Sequence, residues 1–149
     1  MSLGGGGGGG GGQMQEMAAQ LEELEQTREA LEAEVQGLQG EKRDIDDAVE
    51  ALEELESGST VQVPLGGGAY VRAKVQDIDE ITITLGSDYA AERDSDGAIE
   101  TLESKRDTLD DRIEELRSDI AELESESDEL EQRMEQARAQ QMQQLQQGE

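Results

Sequence analysis

The chain contains no cysteine and no histidine. Disulfides and thiolate chemistry are thereby excluded, and the commonest general base and metal ligand are missing. Without cysteine the sequence also carries no mark of redox compartment. Phenylalanine and tryptophan are absent, leaving Tyr70 and Tyr89 as the only aromatics. The hydrophobic fraction is 33%, against about 45–50% in an ordinary globular domain. That is too little bulk for a thick core, yet enough for a narrow helical seam and a small sheet. Proline occurs once, at Pro64. No apolar run is long enough to span a bilayer, and Met1-Ser2-Leu3 leads into glycines rather than a signal-peptide core, so a cytoplasmic location is expected.

Positive charge is the other shortage. Twelve Lys and Arg stand against 38 Asp and Glu, a net charge of −26, and Lys42, Lys74 and Lys105 are the only lysines. Such a surface repels nucleic acid and anionic membranes, so neither is expected as a partner. It strains any compact state in dilute buffer. In molar salt the screening length falls to about 3 Å and the strain fades, which predicts a salt-loving source.

What the chain does have is periodicity. One apolar run steps by threes and fours through Met14, Met17, Leu21, Leu24, Arg28, Leu31, Val35, Leu38, Lys42, Ile45, Val49 and Leu52. A second follows Ile99, Leu102, Arg106, Leu109, Ile113, Leu116, Ile120, Leu123, Ser127, Leu130, Met134 and Ala137. A 3.5-residue period winds helices around one another. The runs are of similar length around a compact middle, so the chain is expected to fold back as an antiparallel helical hairpin. With a closure near Gly58 and Asp96, Arg28 is expected near Glu124 and Glu126, Lys42 near Asp110 and Asp111, and Arg106 near Asp46, Asp47 and Glu50. These basic seam residues either set the register or snorkel outwards.

Between the runs the period switches to two. Val61, Val63 and Leu65 alternate, then Val71, Ala73 and Val75, then Ile81, Ile83 and Leu85, with turns at Gly66-Gly67-Gly68, Asp77-Ile78-Asp79 and Gly86-Ser87-Asp88. Four short strands in two hairpins with one apolar face are expected, and Pro64 suits an edge or a bulge. Gly58 fits a left-handed helix stop. Asp94-Ser95-Asp96 supplies helix-cap candidates. The same residues match part of a calcium loop but lack its third ligand and spacing.

The expected layout is a disordered glycine-rich tail over 1–12, helix one over 13–56, two hairpins over 59–93, helix two over 94–145 and a frayed end over 146–149. The tail lacks the lysine and hydroxyl ending of a phosphate loop. The fold class is α+β: a long antiparallel two-helix coiled coil capped by two β-hairpins. Some thirty residues of one-faced sheet are not stable alone, and open edges need cover. With helices projecting away from the strands, several chains are expected to pool their hairpins in an oligomeric β-barrel through Val61, Val63, Leu65, Val71, Ala73, Val75, Ile81, Ile83 and Leu85. The free ends of the coil carry Met14, Met17, Leu21, Met134, Ala137, Met142 and Leu145. Methionine suits surfaces that accept varied apolar partners, while a fraying terminus needs no function to explain it.

The stretches Val63-Pro64-Leu65-Gly66-Gly67-Gly68-Ala69-Tyr70-Val71 and Leu85-Gly86-Ser87-Asp88-Tyr89-Ala90-Ala91-Glu92 resemble the hairpins of archaeal prefoldin subunits of the alpha type, and the acidity resembles a haloarchaeal version. The resemblance covers about 13–145. It implies a hexamer of two alpha and four beta subunits with a double β-barrel body, coil tips that hold unfolded polypeptides, and transfer of those clients to a group II chaperonin without nucleotide. It implies no cofactor and no enzymatic activity. The family's tip residues carry over to Met14, Met17, Leu21, Met134 and Ala137. The rival reading is a structural coiled-coil scaffold or spacer. An enzyme fits poorly, since carboxylate pairs would need a cleft that this architecture does not build.

Overall fold

The protein's structure, a computed structural model, describes residues 5–86 and 88–147. Its elements run in the order α1 (Gly5–Glu54), β1 (Thr60–Gly66), β2 (Ala69–Lys74), β3 (Ile81–Gly86), β4 (Tyr89–Arg93) and α2 (Ser95–Gln147). The chain divides into two compact units. One spans Leu38–Asp111, and the other joins Met1–Gly37 with Arg112–Glu149.

In the first unit the end of α1 is stitched to the first hairpin and the segment after it by a few hydrogen bonds. Gly58, at φ 91°, takes the left-handed stop that glycine permits without a Cβ clash. Its N–H donates to Val75 O (2.7 Å), and Val75 N–H donates back to Ser59 O (2.8 Å). Ser57 Oγ accepts from Ile78 N–H at 3.0 Å. The chain leaving α1 is thereby fastened to the chain leaving β2. In the β1–β2 hairpin Val61 pairs with Ala73 and Val63 with Val71, so the apolar residues of both strands share one face. Gly67 and Gly68 both have positive φ, 59° and 83°, as a two-residue mirror-image turn requires. The ladder shifts between Pro64 and Gly66, leaving Leu65 as an extra residue. The β3–β4 hairpin repeats the register shift, with Ile83 opposite Ala91 and the shift between Thr84 and Gly86. Each hairpin forms its own two-stranded sheet.

The expectation that the helices leave the strands uncovered is corrected for the second hairpin. Ile83 is buried with Leu52 and Ala98, and Ile81, Ile99 and Leu102 pack against them. Ala98 is fully buried, and so small a side chain lets strand and helices approach closely. Lys105 Nζ donates to Thr84 O at 2.9 Å, a second tie between β3 and α2. Helix α2 starts on Asp94. Its carboxylate accepts from Gly97 N–H at 2.7 Å, and its carbonyl accepts from Ala98 N–H at 2.8 Å. That is an N-cap, and it employs the carboxylate that a calcium loop would need. Along the seam Lys42 pairs with Asp110 and Arg106 with Asp46 at 3.0 Å.

The second unit is an antiparallel pair of helical segments. Val35, Ile113, Leu116 and Leu130 are buried, and every heptad position from Met14 to Val35 and from Ile113 to Ala137 is buried or half-buried. Arg28 reaches Glu124 at 3.9 Å while also contacting Glu25 and Glu32 on its own helix. Arg112 pairs with Glu34 at 3.2 Å. From Arg138 to Gln147 every residue is exposed.

Helix α1 begins at Gly5, so residues 5–12 of the expected tail are helical. Each glycine is about 1 kcal/mol poorer than alanine in a helix. A helix continued from Gln13 needs no new nucleation step, but that saving does not offset the summed cost of the glycines, and nothing else in the structure explains the extension. Residues 1–4 of that tail and 148–149 of the expected frayed end lie outside the described residues. The helix stops at Glu54 rather than 56, because Ser57 and Gly58 are already engaged with the strands.

Candidate functional site

Two apolar surfaces, one on each unit, are available for binding. On the unit with the strands, Val63 (41%), Leu65 (68%) and Val71 (46%) of the first hairpin are exposed. Val61, Ala73 and Val75 beside them are half-buried. The pairs Val61–Ala73 and Val63–Val71 put these side chains on one face. Tyr70 pairs with Pro64 and is exposed, as is Tyr89. Hence both aromatics of the chain stand near the start of a hairpin's second strand, Tyr70 in β2 and Tyr89 in β4. Leu85, also exposed, occupies in the second hairpin the place of Leu65 in the first. Ile81 is half-buried and Ile83 is buried within its own chain. The assembly residues expected from sequence therefore divide: the first hairpin and Leu85 are open, whereas Ile83 serves the intrachain core. Alternation alone does not single out Tyr70 and Tyr89 as surface groups. Their rarity in a chain so poor in aromatics is the available signal.

On the other unit, Met14, Met17, Leu21, Met134 and Ala137 are half-buried along the seam, whereas Met142 and Leu145 are exposed. Leu21 and Met134 line a shallow groove whose rim is Asp128, Glu131, Glu135 and Arg138. The seven residues expected at the coil ends thus fall into a paired set of five and an open set of two. Opening the paired set requires the helices to separate at their ends.

Ion pairs line the seam within each unit. The three basic seam residues meet the acids expected of them, Glu124, Asp110 and Asp46. Sequence reading misses Arg112, which sits outside the seam. Its guanidinium is held above its ordinary value, first by hydrogen bonding to Glu34 and then to Glu115. Acids are so dense along both helices that no single partner for Arg112 stands out. Among the described residues no group of three metal-binding side chains occurs, and no helix is long and apolar enough to cross a membrane. What these two surfaces offer is apolar contact.

Helix, two bulged hairpins and helix, with an open hairpin face, define a coiled-coil subunit of the α+β class. The prefoldin-subunit family model matches residues 24–147, and the chain belongs to the prefoldin family. It is 59% identical over 64 residues to prefoldin subunit alpha of Haloarcula marismortui, covering 43% of this chain and 42% of that protein. It is 70% identical over 60 residues to the alpha subunit of Halorubrum lacusprofundi, covering 40% of each. The matched segment thus spans about two-fifths of the length of these curated relatives. The two hairpins and these relatives agree with the alpha type expected from the motifs. Among solved structures, filamentous PFD from Methanocaldococcus jannaschii superposes with a TM-score of 0.52 at 28% identity, over 78% of this chain and 93% of that one. The prefoldin beta subunit from Thermococcus strain KS-1 shares the fold, with a TM-score of 0.57 at 22% identity over 84% and 91%.

Proposed function

We propose that this chain is the alpha subunit of a chaperone that holds unfolded polypeptides without consuming nucleotide. Two copies assemble with four beta-type subunits through the hairpins, and clients pass from the coil ends to a group II chaperonin. The observation that carries the assembly reading is the open apolar face of the first hairpin. Val63, Leu65 and Val71 lie exposed on a two-stranded sheet, and such a sheet with bare edges is marginal in water without a partner. The observation behind client capture is the apolar character of the helix ends, where Met142 and Leu145 are exposed beside the seam residues Leu21 and Met134.

Capture at several ends works by multivalency. Each weak contact raises the effective concentration of the next, and avidity exceeds one contact by about 10² to 10⁴. Weak single contacts also allow release, which transfer to a second chaperone demands. The test is removal of residues 1–21 together with the segment beyond Met134. The truncated chain should still co-assemble with beta-type subunits, as judged by native mass spectrometry, but should no longer suppress light scattering from a denatured client. Undiminished suppression would rule out capture at the coil ends and favour a scaffold role.

A further inference from the structure

We propose that the end of the helix pair is kept free of charge so that it can take acidic unfolded polypeptides, chains that the rest of this subunit repels. This rests on the client-capture reading above and names the class of client. Every ionisable side chain but Glu149 lies between Glu16 and Arg138. The first fifteen residues carry none, and neither do residues 139–148, in a chain that is 34% charged. The uncharged part of α2 is Gln and Ala around Met142 and Leu145, which among the described residues of this unit are the most openly presented large apolar side chains, at 61% and 73% exposure. Immediately inward the surface becomes charged and mostly acidic: Leu21 and Met134 sit in a groove rimmed by Asp128, Glu131, Glu135 and Arg138.

The charge boundary has a physical use. Salt screens repulsion between distant charges, but only beyond the screening length, about 3 Å in molar salt. Side chains in contact lie within or near that distance, so salt does little for two carboxylates pressed together. Burying an unpaired charge at a contact is costly as well. An acidic client can therefore dock closely only where the docking surface has no carboxylates of its own. Acidic clients are the class that needs this arrangement. An unfolded copy of this chain itself, with 38 acids against 12 bases, is a client of that class. Glutamine adds donors and acceptors that serve an unfolded backbone without regard to its sequence.

The test uses the full chain assembled with beta-type subunits and one aggregating reporter in two forms. The first form is rich in Asp and Glu, and the second has those residues changed to Asn and Gln. The wild-type complex should suppress aggregation of both equally. Gln141→Glu with Gln146→Glu places carboxylates beside Met142 and Leu145 and keeps good helix formers. That variant should require about tenfold more complex for the acidic reporter while handling the neutral one unchanged. The same two positions changed to Ala should leave both reporters unaffected. Equal losses on both reporters with the Glu variant, or a wild-type preference for the neutral form, would overturn the inference while leaving capture at the coil ends intact. If the Glu variant handles both reporters normally while deletion beyond Met134 abolishes capture, charge at the end is irrelevant and the inference fails. If that deletion has no effect on either reporter, the underlying reading fails as well.

Discussion

Asp94 and Gly97 show how much can rest on one pair of residues. A Cβ at position 97 would lie 2.7 Å from the Asp94 carboxylate oxygen, the oxygen that caps α2. Gly97→Ala must therefore displace the cap, and Asp94→Ala removes it. Losing an N-cap costs about 1 kcal/mol, within a range of roughly 0.5–2. Both variants should lower the denaturant midpoint, and combining them should add little because they break the same interaction. Additive losses in chemical denaturation would show that Gly97 is required for another reason. The cap is visible in the sequence as a cluster of Asp and Ser before a heptad run. Arg112 is not visible there, since nothing in the sequence separates one flanking acid from another. Its guanidinium, charged through neutral and mildly alkaline pH in any case, is held further above its ordinary value by Glu34 and Glu115. Its share of the ion pair is present below the unfolded value and is lost only as pH rises through the folded one, far into alkali.

At the scale of elements, the heptads are legible because a 3.5-residue period has one structural meaning. Every one of their positions is at least half-buried. Leu116, at 1% exposure, is packed most completely. Leu116→Ala should cost about 2–5 kcal/mol, read as a lower thermal midpoint of the helical signal. The strands are less legible. Alternation shows that each hairpin has an apolar face, but not what covers it, since the residues of α1 and α2 that meet Ile83 are remote in sequence. Leu52 and Ala98 answer that only in three dimensions. Ile83→Ala should therefore loosen the second hairpin within a single subunit, with faster amide exchange in β3 and β4 and little change in β1 and β2. Uniform acceleration across all four strands would mean that the hairpins open together. The helix through the glycine tract is not legible at all, since glycine disfavours a helix at every position it occupies.

For the molecule as a whole, charge dominates. A net −26 over 149 residues sets like charges along both helices, while the apolar seam supplies only a narrow stripe of opposing free energy. The helical circular dichroism signal should rise steeply between millimolar and molar salt, as screening shortens to about 3 Å. A signal flat across that range would mean that ion pairs such as Arg106–Asp46 and Arg112–Glu34 already offset the repulsion. Assembly belongs to this scale as well. Leu65→Asp, on the open face of the first hairpin, should block co-assembly with beta-type subunits while leaving helix content unchanged, as judged by native mass spectrometry beside circular dichroism. Assembly undisturbed by that substitution would argue against the first hairpin as the contact.

The cations set into the seam also decide which pairings cannot occur. Two copies zipped side by side in the same direction would bring Arg28 against Arg28, Lys42 against Lys42 and Arg106 against Arg106. Each of those layers would set like charges against one another. Folding back on itself gives each of the three a carboxylate instead. The residues that weaken the stripe as a hydrophobic surface thus disfavour a same-direction coil of two copies and favour the fold-back of one chain.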